Sequence, residues 1–249
     1  MTSEALTREA LDLPRAIFDF RRRFRKIGTP ERAKAEKAYM KSALEFHGVT
    51  VPDLRRACSE FCKQNPRIGR SDLRALVDGL YATDYHDLRS MGLLLLEKRR
   101  RDLSPRDLPW LVGIVRKSRN WAHVDLLATK VIGDVIARAN GASSILRSWA
   151  KDDDMWVRRT ALLAQHDALR AGGGDFALFE RLAAPLLVEK EFFIRKAIGW
   201  VLREVSKKRP ELAYRFLARH RSDVSGLTLR EGAKYLPASM RARLDVQSR

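Results

Sequence analysis

The chain carries SRNWAHVDLLATKVIGD at residues 118–134, a stretch with the apolar spacing of an amphipathic helix. Within it, Val124-Asp125 is an aliphatic residue followed by a charged one and then by apolar or small residues. The same pattern occurs four times, with spacings of 36, 33 and 37 residues, at Leu88-Arg89, Val124-Asp125, Val157-Arg158 and Ile194-Arg195. This period, slightly short for HEAT repeats, is typical of two-helix repeats that stack into a solenoid. We therefore expect an all-α fold, an α-solenoid of HEAT-like helical repeats with a concave basic groove.

The remaining chain supports the all-α prediction, because apolar residues recur at helical spacing and strand-like alternation is nearly absent. Proline and glycine fall at most boundaries, with Pro185 as the exception. The predicted helices cover about 13–26, 31–47, 51–64, 71–82, 85–101, 106–117, 121–139, 142–150, 155–172, 176–188, 192–208, 210–220 and 227–236. We expect one domain over 1–249, with residues 1–12 and 238–249 as peripheral or flexible ends.

The charge balance predicts a polyanionic partner. Lys and Arg number 49 against 31 Asp and Glu, which gives a net charge of +18 and favours nucleic acid. We expect no membrane partner, because neither end carries a basic amphipathic helix lined by Trp or Phe. Cys58 and Cys62 are too few and too close for a disulfide framework, and Glu4 and Glu9 interrupt any signal-like start. These features predict a cytoplasmic protein, and the scattered histidines predict no metal site and no cofactor.

Asp125 departs from the repeat, because the other three slots carry arginine. One interpretation is a structural ion pair with a neighbouring basic side chain such as Lys117 or Arg159. The other is that Asp125 faces a positive charge on a ligand held in the groove. Trp121 lies one helical turn before Asp125, so the two side chains share a helix face.

Other residues with candidate roles are tryptophans and paired basic residues. Trp110 and Trp149 have the spacing of core residues, whereas Trp200 follows Gly199, which predicts close approach by a neighbouring helix or a ligand. Two basic pairs begin predicted helices, where the helix dipole favours phosphate binding: Arg158-Arg159 and Arg195-Lys196. The basic runs at 21–26 and 98–101 indicate electrostatic steering.

Residues 190–210, KEFFIRKAIGWVLREVSKKRP, resemble the signature segment of the AlkD family of DNA glycosylases, which are HEAT-like-repeat enzymes of DNA alkylation repair. The supporting segments follow in the family's order: AYMKSALEFHGVTVPDLRR (38–56), SRNWAHVDLLATKVIGD (118–134) and DDDMWVRRTALLAQ (152–165). The resemblance extends over about residues 15 to 236.

The resemblance implies roles for individual residues. Trp121, Asp125 and Trp200 match positions that line the family's catalytic cleft. Arg159 matches an arginine that holds the DNA backbone at the lesion, and Tyr39 and Lys41 match positions that contact DNA. The chain departs from the family at two positions, where Asn120 and Ala122 replace a second tryptophan and an acid, and this departure concerns lesion preference.

The resemblance also implies the reaction. We expect hydrolysis of the N-glycosidic bond of cationic N3- or N7-alkylated purines in double-stranded DNA, as in base excision repair, without flipping of the base into a pocket. We expect a monomer. Two alternatives remain open: a non-catalytic HEAT-like module that binds DNA or RNA, and an adaptor for acidic proteins.

Overall fold

The computed structural model describes residues 11–245. Over this range the regular structure is helical, apart from one isolated bridge between Glu45 and Tyr85, and the all-α prediction is confirmed. The helices form two compact units, one up to Asp102 and one from Leu103 onward, whereas the single domain over 1–249 stays a prediction. Residues 1–10 and 246–249 of the two expected flexible ends lie outside the described residues. No helix within 11–245 combines the length and apolar character that crossing a membrane requires.

Within residues 11–102, the first unit contains five α-helices. They are α1 (Leu13–Ile27), α2 (Pro30–Met40), α3 (Val51–Gln64), α4 (Arg70–Tyr81) and α5 (His86–Lys98). Three of them begin at side-chain caps that satisfy free backbone N–H groups: Asp12, Thr29 and Thr50. Helix α4 packs against α5 and α1, and α3 packs against α5, so that the leucines of α4 and α5 form the core.

The second unit contains α6 (Leu108–Ser118), α7 (Trp121–Leu126), α8 (Gly133–Ile136), α9 (Ala142–Trp149), α10 (Met155–Leu163), α11 (His166–Arg170), α12 (Phe176–Ala183), α13 (Phe192–Ser206), α14 (Pro210–Arg219), α15 (Gly226–Gly232) and α16 (Ala238–Arg243). A π-helical segment, Leu127–Ile132, joins α7 to α8. Helix α13 is the centre of this unit, because it packs against α10, α11, α14 and α15.

Several predicted helices differ from those observed. The helix expected over 31–47 ends at Met40, because Lys41 adopts a left-handed backbone with φ of 48°. The helix expected over 155–172 divides into α10 and α11. At Pro185, the helix expected over 176–188 ends in a short 3₁₀ turn. Part of the expected C-terminal tail forms α16, after which Leu244 is buried.

The repeat predicted from the sequence is present in the structure. The four repeated aliphatic residues all have 0% exposure: Leu88, Val124, Val157 and Ile194. The arginine after three of them donates a hydrogen bond to the carbonyl oxygen six residues earlier, at N···O distances of 2.7–2.8 Å, through the pairs Arg89–Thr83, Arg158–Asp152 and Arg195–Glu189. These arginines therefore hold in place the turn that precedes their own helix. Asp125, at the same position of its repeat, is a carboxylate and cannot donate such a hydrogen bond.

Candidate functional site

Trp121 and Asp125 lie on α7, one helical turn apart, and both are half-buried. The side chain of Asn120 starts this helix by accepting a hydrogen bond from the backbone N–H of Ala122 at 2.8 Å. Two residues after Asp125 the helix widens into the π-helical segment, and the hydroxyl of Thr129 donates to the carbonyl oxygen of Asp125 at 2.8 Å. Single π turns of this kind are frequent at functional sites. The local backbone thus presents an indole and a carboxylate that retain contact with solvent.

Asp125 forms a two-pronged ion pair with Arg159 of α10. The Nε atom of Arg159 donates to Oδ1 of Asp125 and the Nη2 atom donates to Oδ2, both at 2.8 Å. The side chain of Arg159 is 3% exposed, whereas that of Asp125 is 17% exposed. Fork-to-fork pairs fix both position and orientation, so Arg159 holds the carboxylate of Asp125 in one place.

Arg159 also connects two other helices. Its Nη1 atom donates to the carbonyl oxygen of Phe193 in α13, and its guanidinium lies 5.8 Å from the centre of the Phe193 ring. Helix α10 packs against both α7 and α13, so one buried guanidinium joins all three helices. The structural ion pair considered from the sequence is therefore present, and it involves Arg159. A direct contact between Arg159 and a DNA phosphate stays a prediction.

The ion pair limits what Asp125 can do chemically. Each carboxylate oxygen has two lone pairs, and the guanidinium occupies one on each oxygen. The remaining lone pairs can accept a hydrogen bond from a water molecule or face a developing positive charge. The positive partner on the buried side weakens the long-range field of the carboxylate, so its effect is confined to groups in close contact with the exposed oxygens.

Trp200 lies on α13 and is half-buried. The ring of His166 lies 4.4 Å from its ring centre, and His166 Nδ1 is 2.9 Å from the Asp167 carboxylate, which accepts a 2.6 Å hydrogen bond from Lys130. Burial lowers the pKa of His166, although the charge of Asp167 opposes this effect. The neutral imidazole ring of His166 therefore packs against the Trp200 indole. Sequence reasoning missed His166, because nothing in its spacing relates it to Trp200.

The packing of α13 against α15 explains why residue 199 is a glycine. A Cβ atom added to Gly199 would lie 2.7 Å from the Cβ of Glu231 and 3.3 Å from the carbonyl oxygen of Thr228, both on α15. Of the two causes predicted for this glycine, the neighbouring helix is the one observed. The glycine brings α13 and α15 into close contact and so sets the position of Trp200.

The remaining basic residues of the predicted site have intramolecular partners. Arg158 donates to Glu189 at 3.0 Å as well as to the carbonyl oxygens of Asp152 and Asp153. Lys196 lies 3.0 Å from Glu231 with 40% of its side chain exposed. Together with the hydrogen bond from Arg195 to the carbonyl oxygen of Glu189, these contacts give Arg158, Arg195 and Lys196 structural roles. Their contact with DNA stays a prediction.

Tyr39 and Lys41 lie in the first unit, at the end of α2, and both are exposed. Tyr39 is 73% exposed and is therefore accessible to a partner. The left-handed conformation of Lys41 ends the helix immediately after Tyr39. Their assignment as DNA contacts also stays a prediction.

Comparison with known proteins gives a consistent result. A family model described as "DNA alkylation repair enzyme" matches residues 20–236. A solved structure described as "Predicted DNA alkylation repair enzyme from Enterococcus faecalis" is 25% identical, with a TM-score of 0.71 over 85% of this chain and 97% of that chain.

Two further structures come from Streptococcus mutans. AlkD2 is 16% identical with a TM-score of 0.63 over 91% of this chain and 100% of that chain. Smu.31 of strain UA159 is 18% identical with a TM-score of 0.57 over 75% and 93%. At these identities the two structures share the fold alone. No individually curated protein matches the chain.

Proposed function

Because the chain belongs to the family of DNA alkylation repair enzymes, we propose that it is a DNA glycosylase that releases cationic N3- or N7-alkylated purines from duplex DNA. The observation that supports this proposal is the carboxylate of Asp125, which is held by Arg159, remains 17% exposed and lies one turn from Trp121. A fixed, partly exposed acid in a chain of net charge +18 suits a positively charged group on an otherwise anionic ligand.

The chemistry begins with a good leaving group. Alkylation at N3 or N7 places a formal positive charge on the purine, so the glycosidic bond breaks without protonation of the base. The sugar then develops oxocarbenium character, and groups beside it contribute by stabilising that charge. Asp125 supplies an anionic oxygen, and the indole faces of Trp121 and Trp200 supply cation–π attraction of about 0.5–2 kcal/mol each.

The ion pair sets the size of the electrostatic effect. A carboxylate about 4 Å from a unit positive charge contributes roughly 4 kcal/mol at an effective dielectric near 20, and a guanidinium about 8 Å away on the far side cancels roughly 2 kcal/mol. The remaining ~2 kcal/mol corresponds to about 30-fold in rate. The unoccupied lone pairs of Asp125 can make a second contribution by orienting the attacking water.

A non-catalytic DNA-binding module is the second candidate, and the Asp125–Arg159 ion pair is the observation that favours it. In that case the pair would join α7 to α10 and no base would be released. The two candidates give different products. A duplex that contains 7-methylguanine should yield free 7-methylguanine and an abasic site in the presence of this protein if it is a glycosylase, with the same yield after addition of a metal chelator. Tight binding without free base would support the module.

A further inference from the structure

One face of α1 carries an aromatic residue among arginines. Phe18, Arg21, Arg22 and Arg25 are spaced so that they share a single face of the helix, and they line a surface depression of about 310 Å³. Arg23 lies outside this group and pairs with Glu60 at 2.5 Å. We call these four residues the α1 face. Its volume lies at the lower end of the roughly 300–1,000 Å³ range of ligand-binding clefts.

The α1 face differs in its contacts from the other basic run of the first unit, residues 98–101. In the run at 98–101, Arg99 donates to Asp102 at 2.5 Å and to the carbonyl oxygens of Pro66 and Ile68. Arg100 donates to the carbonyl oxygen of Glu97. Arg99 therefore holds the end of α5 to the loop between α3 and α4, and Arg100 bonds within the end of α5. On the α1 face all three arginines are exposed, whereas in the other run only Lys98 and Arg101 are exposed.

The arginines of the α1 face are suited to bind phosphate. Arg21 lies 4.7 Å from the centre of the Tyr85 ring and donates from Nη2 to the Tyr85 hydroxyl at 2.9 Å. These contacts hold the guanidinium in place while the residue stays exposed. The side chain of Arg22 is 70% exposed, and its Nη2 atom lies 3.5 Å from Oδ1 of Asp19. A guanidinium held in place loses little conformational entropy when it binds an anion, and this favours phosphate binding here.

Phe18 indicates what accompanies the phosphates. Its side chain is 56% exposed and lines the same depression as the three arginines, so a large part of the ring is open to a ligand. A phenyl ring in such a setting stacks on an unpaired base, whereas the backbone of an intact duplex offers it no base surface. We propose that the α1 face binds single-stranded DNA, with the phosphates on Arg21, Arg22 and Arg25 and one base stacked on Phe18. The α1 face shares no residue with the proposed glycosylase site.

The test measures binding of a short fluorescent single-stranded oligonucleotide by anisotropy across a range of salt concentrations. Arg22→Ala with Arg25→Ala should reduce the slope of log K against log salt by about 1.4, because each phosphate that an arginine neutralises on a single strand contributes roughly 0.7 to the slope. Phe18→Leu should weaken binding about tenfold and leave the salt slope unchanged, because stacking carries no charge. A matched control, Lys98→Ala with Arg101→Ala, removes the same charge from the other run and should change affinity by less than twofold.

A blunt duplex of the same length distinguishes the alternatives. Under the proposal, Phe18→Leu leaves duplex affinity unchanged. The proposal fails if Phe18→Leu binds the single strand as the wild type does, or if the arginine variant weakens single strand and duplex equally. It also fails if the control variant loses as much affinity as the arginine variant. Circular dichroism verifies folding, and unchanged release of 7-methylguanine by the α1 variants separates this result from the glycosylase proposal.

Discussion

Replacement of Arg159 by alanine tests the structural role of the ion pair. The variant leaves the Asp125 carboxylate without its partner and the carbonyl oxygen of Phe193 without its donor. With Arg159 3% exposed and Asp125 17% exposed, solvent can replace little of the interaction that the variant removes. Removal of one partner of a buried pair costs about 3–5 kcal/mol, and the partial exposure of Asp125 favours the lower end.

Thermal unfolding provides the measurement. A loss of about 3 kcal/mol should lower the melting temperature by roughly 6–12 °C, at about 2–4 °C per kcal/mol for a protein of this size. Arg116→Ala is the matched control, because Arg116 also binds a carboxylate through two atoms, at 2.8 and 2.6 Å from Asp152, but is 45% exposed. Exposed pairs contribute about 0–1 kcal/mol, so this variant should melt within a few degrees of the wild type.

The double variant Arg159→Ala with Asp125→Asn completes the cycle. Loss of the charge on both sides removes the unpaired carboxylate, so the double variant should be less destabilised than the sum of the single variants. If Arg159→Ala melts within about 2 °C of the wild type, the pair does not join α7, α10 and α13 as described. In that case, a flattened salt dependence of DNA binding by the same variant would instead assign Arg159 to a phosphate.

Three further predictions concern stability and reactivity. Gly199→Ala should destabilise the protein by about 1–3 kcal/mol in chemical denaturation, because the new Cβ would lie 2.7 Å from the Cβ of Glu231. The control is Gly113→Ala, whose new Cβ meets no atom within 4 Å and which should stabilise the protein by about 0.5–1 kcal/mol. Burial lowers the pKa of His86 from 6.5 to about 4. Since only the unfolded chain takes up this proton between those values, stability should fall as pH falls from 6.5 to 4, and His86→Asn should reduce that slope in urea titrations. A hydrogen bond from the neighbouring thiol lowers the pKa of Cys62 to about 7, so its alkylation by iodoacetamide should reach half its maximal rate near pH 7, and a midpoint above pH 8 would contradict this assignment.

Local signals in the sequence were sufficient where capping chemistry sets a boundary. Helix α3 was predicted over 51–64 and has those bounds, because the Thr50 side chain caps it by accepting from the N–H of Asp53 and Pro52 fits the first turn. The end of α2 had no such signal. Lys41 takes the left-handed conformation without being glycine, and the segment after it pairs with the second half of the unit through Glu45 and Tyr85.

The candidate site shows the same division between local and distant information. The repeat identified Asp125 as the exceptional position, and one-turn spacing placed Trp121 beside it. The choice between Lys117 and Arg159 as a partner depends on how α7 and α10 pack, and the pair joins residues 34 positions apart. The sequence also did not predict the structural hydrogen bonds of the repeated arginines, because a hydrogen bond to a carbonyl oxygen six residues earlier leaves no mark in composition.

The central claim is that the fixed carboxylate of Asp125 promotes release of a cationic base. The most direct measurement is the single-turnover rate of 7-methylguanine release from duplex DNA by the wild type and by Asp125→Asn, together with the affinity of each for that duplex. Asparagine keeps the shape of the side chain and removes its charge, while the Arg159 guanidinium stays in place. The full carboxylate contribution of roughly 4 kcal/mol is therefore lost, and we predict a loss of about 10³-fold in rate with DNA affinity largely retained. Release of the base by Asp125→Asn at the wild-type rate would contradict the claim.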